Sequence, residues 1–237
     1  FTGQIDPSRT LAVTFTNKAA GELRHRLQGL GVPRVQARTF HSAALRQITY
    51  FWPTVNGSEI PQVTSSTYGL IAEAARGIGA SIETPLLREL AGEISWTKVS
   101  NIAPDRYAEL AGRAGRSVNG LDPERVADVL QRYEQVKRRR EVIDFDDILL
   151  CAIALLHEHP EVAEKVRDQY RHFTVDEYQD VSPVQRTLLD LWVADNPDLC
   201  VVGDVNQAIH TFAGAKPSYL TNFCDDHPGA RTLTLEI

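Results

Sequence analysis

The feature that most limits what this chain can fold into is a set of short apolar runs, each ending in a burst of polar residues. Leu11-Ala-Val-Thr-Phe15 runs into Thr16-Asn17-Lys18, and Phe173-Thr-Val175 into Asp176-Glu177-Tyr178-Gln179-Asp180. Leu199-Cys-Val-Val202 runs into Gly203-Asp204-Val205-Asn206-Gln207. These three runs are nearly continuous rather than alternating, as in strands covered on both faces. Val35 to Thr39 and Thr232-Leu-Thr-Leu235 are expected as further strands. Helical spacings lie between them: Ala20, Leu23, Leu27 and Leu30 in one, Val184, Leu188 and Leu191 in another. The second opens on Ser182 as N-cap, Pro183 at the first helical position and Gln185 three residues on. Strands alternating with helices predict an α/β fold with parallel strands and crossover helices. The carboxyl ends of such strands form the ligand crevice, so three polar bursts predict one shared site.

The middle of the chain reads differently. From about Phe51 to Arg140 no strand is expected, whereas Tyr68 to Gly77 and Pro85 to Ile94 read as helices. Asp122-Pro123 opens another, with Val126, Val129, Leu130, Tyr133 and Val136 on one side. The expected organisation is therefore an α/β part over 1–50 and 141–237, with a mostly helical insertion over 51–140. Lys137-Arg-Arg-Arg140 is the one strong charge run. It reads as a solvated helix end suited to the C-terminal dipole, or as a patch that contacts phosphates.

Composition removes other classes. Of 237 residues, 43% are hydrophobic and 24% charged, ordinary globular values that exclude intrinsic disorder. No apolar run approaches the roughly 18 residues of a membrane span, and Phe1 to Arg9 lack a signal pattern. Three scattered cysteines, Cys151, Cys200 and Cys224, argue against a disulfide framework or zinc cluster and suit a cytoplasmic location. The net charge of −6 excludes a globally basic nucleic-acid surface, so any such binding must come from local groups. The chain opens at Phe1 and contains no Met, which predicts a processed product or an excised piece.

Asp176-Glu177 is the sharpest chemical signal. Adjacent carboxylates at a strand end point in different directions, so one can hold Mg²⁺ while the other orients and deprotonates a water. A helix N-terminus also favours acids, but the apolar strand before the pair and Gln179-Asp180 after it favour the chemical reading. Gln207 can donate and accept near a phosphate, and Asp204 can cap or support its loop. Phe15, Phe40, Phe145 and Phe212 sit beside turn-like sequence, where they either pack in the core or stack on single-stranded bases. His41, with Thr39 and Ser42, could hydrogen-bond backbone phosphate.

Together these segments resemble the UvrD/Rep/PcrA family of superfamily 1 DNA helicases. Leu11 to Ala20 is similar to that family's motif Ia, Thr39-Phe-His-Ser42 to motif Ib, and Val175 to Asp180 to motif II, the Walker B element. Val202 to Ala215 is similar to motif III, and Ile143-Asp-Phe-Asp-Asp-Ile-Leu149 to a segment that approaches the single strand. The stretch from Val35 to Pro53 most resembles the actinobacterial UvrD-like branch. The resemblance implies a RecA-like P-loop NTPase sheet (subdomain 1A) with the helical insertion as subdomain 1B. It implies ATP and Mg²⁺ as cofactors and single-stranded and duplex DNA as partners, with no membrane. Asp176 would coordinate Mg²⁺, Glu177 would activate the attacking water, and Gln207 would contact the γ-phosphate, with Asp204 beside it. Phe15, Thr16, Asn17, Thr39, Phe40, His41, Phe145, His210 and Phe212 would line the DNA path. His210 stands where Tyr is frequent, Phe212 where Trp is, and Ala213 where Arg is.

No Gly-x-x-x-x-Gly-Lys-Ser/Thr loop occurs in these residues. In the family it precedes motif Ia, and a second RecA-like domain follows the point where this sequence stops. The expectation is that this stretch alone hydrolyses ATP weakly or not at all, and belongs to the first motor domain of a helicase acting in DNA repair or replication. Helicase-nucleases of the AddA/RecB type share these motifs. A non-catalytic binding module and an unrelated Mg²⁺-dependent phosphohydrolase are the alternatives of other classes. The retained Asp176-Glu177 and Gln207 speak against the first, and the small number of converging carboxylates against the second.

Overall fold

In the computed structural model, which describes residues 5–196, 198–211 and 214–235, the chain divides into two compact units. One comprises Phe1–Ala44 with Leu156–Ile237, and the other Leu45–Leu155. The elements in chain order are β1 (Thr10–Thr14), α1 (Asn17–Gly29), β2 (Gln36–Thr39), α2 (Phe40–Asn56), β3 (Gln62–Val63), α3 (Tyr68–Arg76), α4 (Thr84–Val99) and α5 (Tyr107–Arg113). They continue with α6 (Pro123–Arg139), β4 (Val142–Ile143), α7 (Asp147–Glu158), α8 (Pro160–Gln169), β5 (His172–Val175), α9 (Pro183–Val193), β6 (Leu199–Val201), α10 (Ser218–Thr221) and α11 (Phe223–Asp226).

The first unit is α/β, with a wholly parallel sheet in the order β2-β1-β5-β6. Parallel neighbours cannot be joined by tight turns, which is why helices separate them in sequence. β1 buries four consecutive residues, Leu11 to Thr14, as its continuous apolar pattern predicts for a central strand. β6 departs from that expectation. It is an edge strand, Cys200 is exposed and its neighbours are half-buried. Thr232 to Leu235 is also corrected: it forms no strand, and Leu233 and Leu235 are exposed. Beta propensity without a partner strand to take up its hydrogen bonds does not make a ladder.

Helix α9 shows the capping box read from sequence: the Ser182 hydroxyl accepts from the Gln185 N–H, and the Gln185 side chain accepts from the Ser182 N–H at 3.0 Å. Its buried face is Val184, Leu188, Leu189, Trp192 and Val193, with Leu191 only half-buried. Trp192 stacks on Phe40 from the first turn of α2, their centroids 5.9 Å apart.

The second unit is helical around one apolar cluster, including Ile71, Leu90, Ile94, Tyr107, Val129, Leu130 and Tyr133. Asp122 caps α6 by accepting from the Arg125 N–H at 2.8 Å. One strand does occur where none was expected: β3, two residues long, pairs in parallel with β4. Two residues leave too short a pattern to read. The unit begins within α2 and ends within α7, so it takes parts of both helices that the sequence reading gave to the α/β part.

Candidate functional site

Because β1, β5 and β6 run in parallel, their carboxyl ends and the polar bursts that follow lie along one edge of the sheet. The backbone ties the three ends together. The Asp176 N–H donates to the Val13 carbonyl, Val202 N–H to the Val175 carbonyl, and Tyr178 N–H to the Val202 carbonyl.

The segment after β5 divides into an outward and an inward part, which sorts its roles. Asp176 and Glu177 are exposed, whereas Tyr178, Gln179 and Asp180, a short 3-10 turn, are buried. Asp176 Oδ1 accepts from the Glu177 N–H at 3.0 Å. Glu177 itself sits in the left-handed region, φ 52° and ψ 42°. For a side chain with a Cβ this costs about 1–3 kcal/mol, and it persists only where the surroundings impose it. Here Tyr178 anchors the turn, fully buried and edge-on to Phe223 at 5.7 Å.

From Glu177 a chain of side-chain bonds crosses to the next loop. Gln179 Nε2 donates to Glu177 Oε2 at 2.7 Å. Gln179 Oε1 accepts from the Asp204 N–H at 3.1 Å. Asp204 Oδ2 in turn accepts from Gln207 Nε2 at 3.0 Å. The Gln207 amide, followed by the Asn206 N–H, holds the Asp204 carboxyl below its usual range. Asp176, Glu177, Asp204 and Gln207, all expected from the sequence, therefore meet in one network on one sheet edge.

The residues expected to meet DNA fall into groups. Phe15, half-buried at the end of β1, stacks on His210 with centroids 4.6 Å apart and ring planes 18° from parallel. Thr16 is exposed, and its hydroxyl caps α1 by accepting from the Ala19 N–H; Asn17 is exposed in the first turn. Thr39 and Phe40 lie inward. Thr39 is buried and trades bonds with Ser42 as an N-cap, each one's hydroxyl accepting from the other's N–H. Phe40 is 3% exposed against Trp192, so its ring is spent on the core. His41 is half-buried, and burial pushes its pKa down to about 4, so it carries no charge toward a phosphate at neutral pH. Phe145 belongs to the helical unit and is 59% exposed. Phe212 and Ala213 lie outside the described residues.

The charge run divides. Lys137 is 3% exposed and ion-paired to Asp147, Asp144 and Glu134, while Arg139 and Arg140 bridge Glu73. Arg138, Arg139 and Arg140 are exposed at the end of α6, as a solvated helix end is expected to be, and Lys137 alone turns inward.

Residues 2–228 match the family model for the UvrD/REP helicase N-terminal domain. The chain belongs to the UvrD/REP helicase family. Its relatives include the ATP-dependent DNA helicase UvrD2 of Mycobacterium tuberculosis, 42% identical with 99% of this chain and 35% of the relative covered. UvrD1 of the same organism is 34% identical, with 98% of this chain and 31% of the relative covered. PcrA of Leuconostoc citreum is 32% identical, with 98% and 31% covered. The chain thus spans about a third of the length of the curated relatives it matches. For a UvrD/REP helicase N-terminal domain the parallel sheet and inserted helices are the expected RecA-like architecture. Two residues of the UvrD/REP site went unassigned in the sequence reading, Gln179 and Asp180. Both are buried, and their bonds to the N–H groups of Asp204, Ile209 and His210 show that they face the next loop.

Proposed function

We propose that this chain supplies part of the first motor domain of an ATP-dependent DNA helicase that translocates on single-stranded DNA, in a protein of its relatives' length. The observation that carries the reading is the network joining Glu177, Gln179, Asp204 and Gln207 at the strand ends. It brings a carboxylate able to take a proton from water within one network of an amide able to sense a phosphoryl oxygen. Asp176 fits a Mg²⁺ site of the kind that uses one or two carboxylates and draws its remaining oxygens from nucleotide phosphates and water. Its exposed carboxylate suits that arrangement. Mg²⁺ bound with ATP would neutralise phosphate charge; the chain's own contribution is the placement of Glu177 and Gln207.

On the DNA side, the Phe15–His210 stack offers aromatic faces, worth about 1–3 kcal/mol per base where a base stacks on them. Duplex unwinding in DNA repair or replication is the process this motor serves, in the cytoplasm. Three free cysteines support a reducing compartment, and among the described residues no helix is long and apolar enough to cross a membrane.

The test is ATP turnover by the full-length protein with and without oligo-dT, followed by phosphate release. Wild type is expected to be stimulated by the oligonucleotide. Glu177→Gln is expected to lower turnover by about 10²–10⁴, the contribution of a positioned general base, while nucleotide affinity stays within a few-fold. A wild-type protein with no DNA-dependent turnover would overturn the reading.

A further inference from the structure

Resting on the reading above, the network has a second half that the nucleotide chemistry does not use. The loop from Gly203 to His210 is held at its near end by Gln179, through the Asp204 N–H. It is held at its far end by Asp180, whose Oδ1 accepts from the N–H groups of Ile209 at 3.2 Å and His210 at 3.1 Å. The two anchors are consecutive residues of one buried 3-10 turn, pinned by Tyr178. Glu177 directly precedes that turn, and the Phe15–His210 stack rides on the loop's far end. Residues 202–207 of this loop are exposed, and its backbone is tied further by Tyr178 N–H to the Val202 carbonyl and Ala215 N–H to the His210 carbonyl.

We propose that Gln179 and Asp180 are positioning residues that link the carboxylate site to the aromatic pair: Gln179 sets Glu177 against the Asp204 loop, and Asp180 sets His210 on Phe15. The amide of Gln179 fits in one orientation only. Its oxygen must face the Asp204 N–H and its nitrogen the Glu177 carboxylate. A carboxylate at 179 would lack the donor, and an apolar side chain would lack both groups. Asp180 holds the loop through Oδ1, an oxygen Asn also provides, while its Oδ2 takes only a long 3.5 Å contact from Gln179 Nε2. Coupling between two sites requires an element whose position both can bias, and the loop held at both ends by one turn is that element.

The test uses the full-length protein and three variants: Gln179→Met, matched in length, Asp180→Ala, and Asp180→Asn. Turnover is measured with and without saturating oligo-dT, KM for ATP from the same curves, and affinity from anisotropy of a labelled dT oligonucleotide. Gln179→Met is expected to lower DNA-stimulated kcat by about tenfold or more with KM within about threefold, the signature of a lost transition-state contact. Asp180→Ala is expected to weaken dT binding and to cut the stimulation ratio, each by at least about fivefold, the lower range of measured coupling. Asp180→Asn is expected to bring both back to within about threefold of wild type. If Gln179→Met fails to fold, the Asp180 pair decides alone. A stimulated wild type whose variants keep its ratio, or an Asn variant as impaired as Ala, would overturn this inference and leave the motor reading standing. A wild type with no stimulation would remove the reading beneath it, and this inference with it.

Discussion

At the scale of single residues, Gly203 shows how tightly the site is built. A Cβ there would lie 2.4 Å from Gln179 Oε1, 2.9 Å from Leu220 Cδ2 and 3.2 Å from the Tyr178 nitrogen. Gln179 is bonded at both ends of its amide, so it cannot swing aside without losing a bond. Gly203→Ala is expected to destabilise the fold by about 1–3 kcal/mol, an overpacking cost, as read from urea denaturation midpoints. A midpoint equal to wild type would mean that Gln179 is not fixed. His41 gives a pH prediction of known sign. Its pKa is lowered by burial from 6.5 to about 4, so between these values the unfolded chain binds the proton and the folded chain does not. Stability is complete above about pH 6.5 and falls as pH drops toward 4, by about 3 kcal/mol for this group. His41→Gln should remove that component from the pH dependence of denaturation midpoints.

At the scale of elements, the helical unit is fastened by buried charge. Lys98 on α4 and Lys137 on α6 meet Asp144 and Asp147 at the start of α7, with Tyr133 donating to Asp144 Oδ2 at 2.8 Å. Burial alone would push Asp144 up, but the ammonium groups of Lys98 and Lys137 outweigh it and hold the carboxyl below its usual range. Desolvation likewise works against Lys98, yet Asp147, Asp144 and Glu134 raise it above its ordinary value. Removing one partner strands a charge: Lys98→Met is expected to cost about 3–5 kcal/mol in urea unfolding. Arg139→Ala breaks an exposed bridge to Glu73 and should cost less than about 1 kcal/mol. Equal effects would refute the distinction. The same cluster shows what sequence could convey. Strand ends, the Ser182 and Asp122 caps and the α6 stripe are local patterns, and the residues display them directly. Lys137 is not local: in a run of four cations only the fold decides which one is turned inward. Gln179 and Phe40 are alike in this respect. An amide among acids looks solvent-bound and an aromatic beside His looks available, until β6 and Trp192 supply the surfaces that bury them.

At the scale of the whole chain, the two units differ in how they depend on sequence order. The sheet of the α/β unit places β1 between β2 and β5, so its core draws on segments more than a hundred residues apart. The helical unit draws its apolar cluster and its buried ion pairs from one stretch of chain. Its apolar cluster, its Lys98–Asp144 centre and the bidentate Arg116–Glu93 pair, which Tyr107 joins through a 2.8 Å bond to Glu93, all lie within Leu45–Leu155. A unit whose buried charges are all paired internally loses none of those pairs on excision, although the cut ends of α2 and α7 will fray. The peptide 45–155 is therefore expected to give a helical circular dichroism spectrum and one cooperative thermal transition. Lys98→Met should lower that transition in the peptide about as far as in the parent chain, because every partner of Lys98 travels with it. A broad, sloping melt would show that the helical cluster needs the sheet to fold, and a smaller effect of Lys98→Met in the peptide would show that the ionic centre had already come apart.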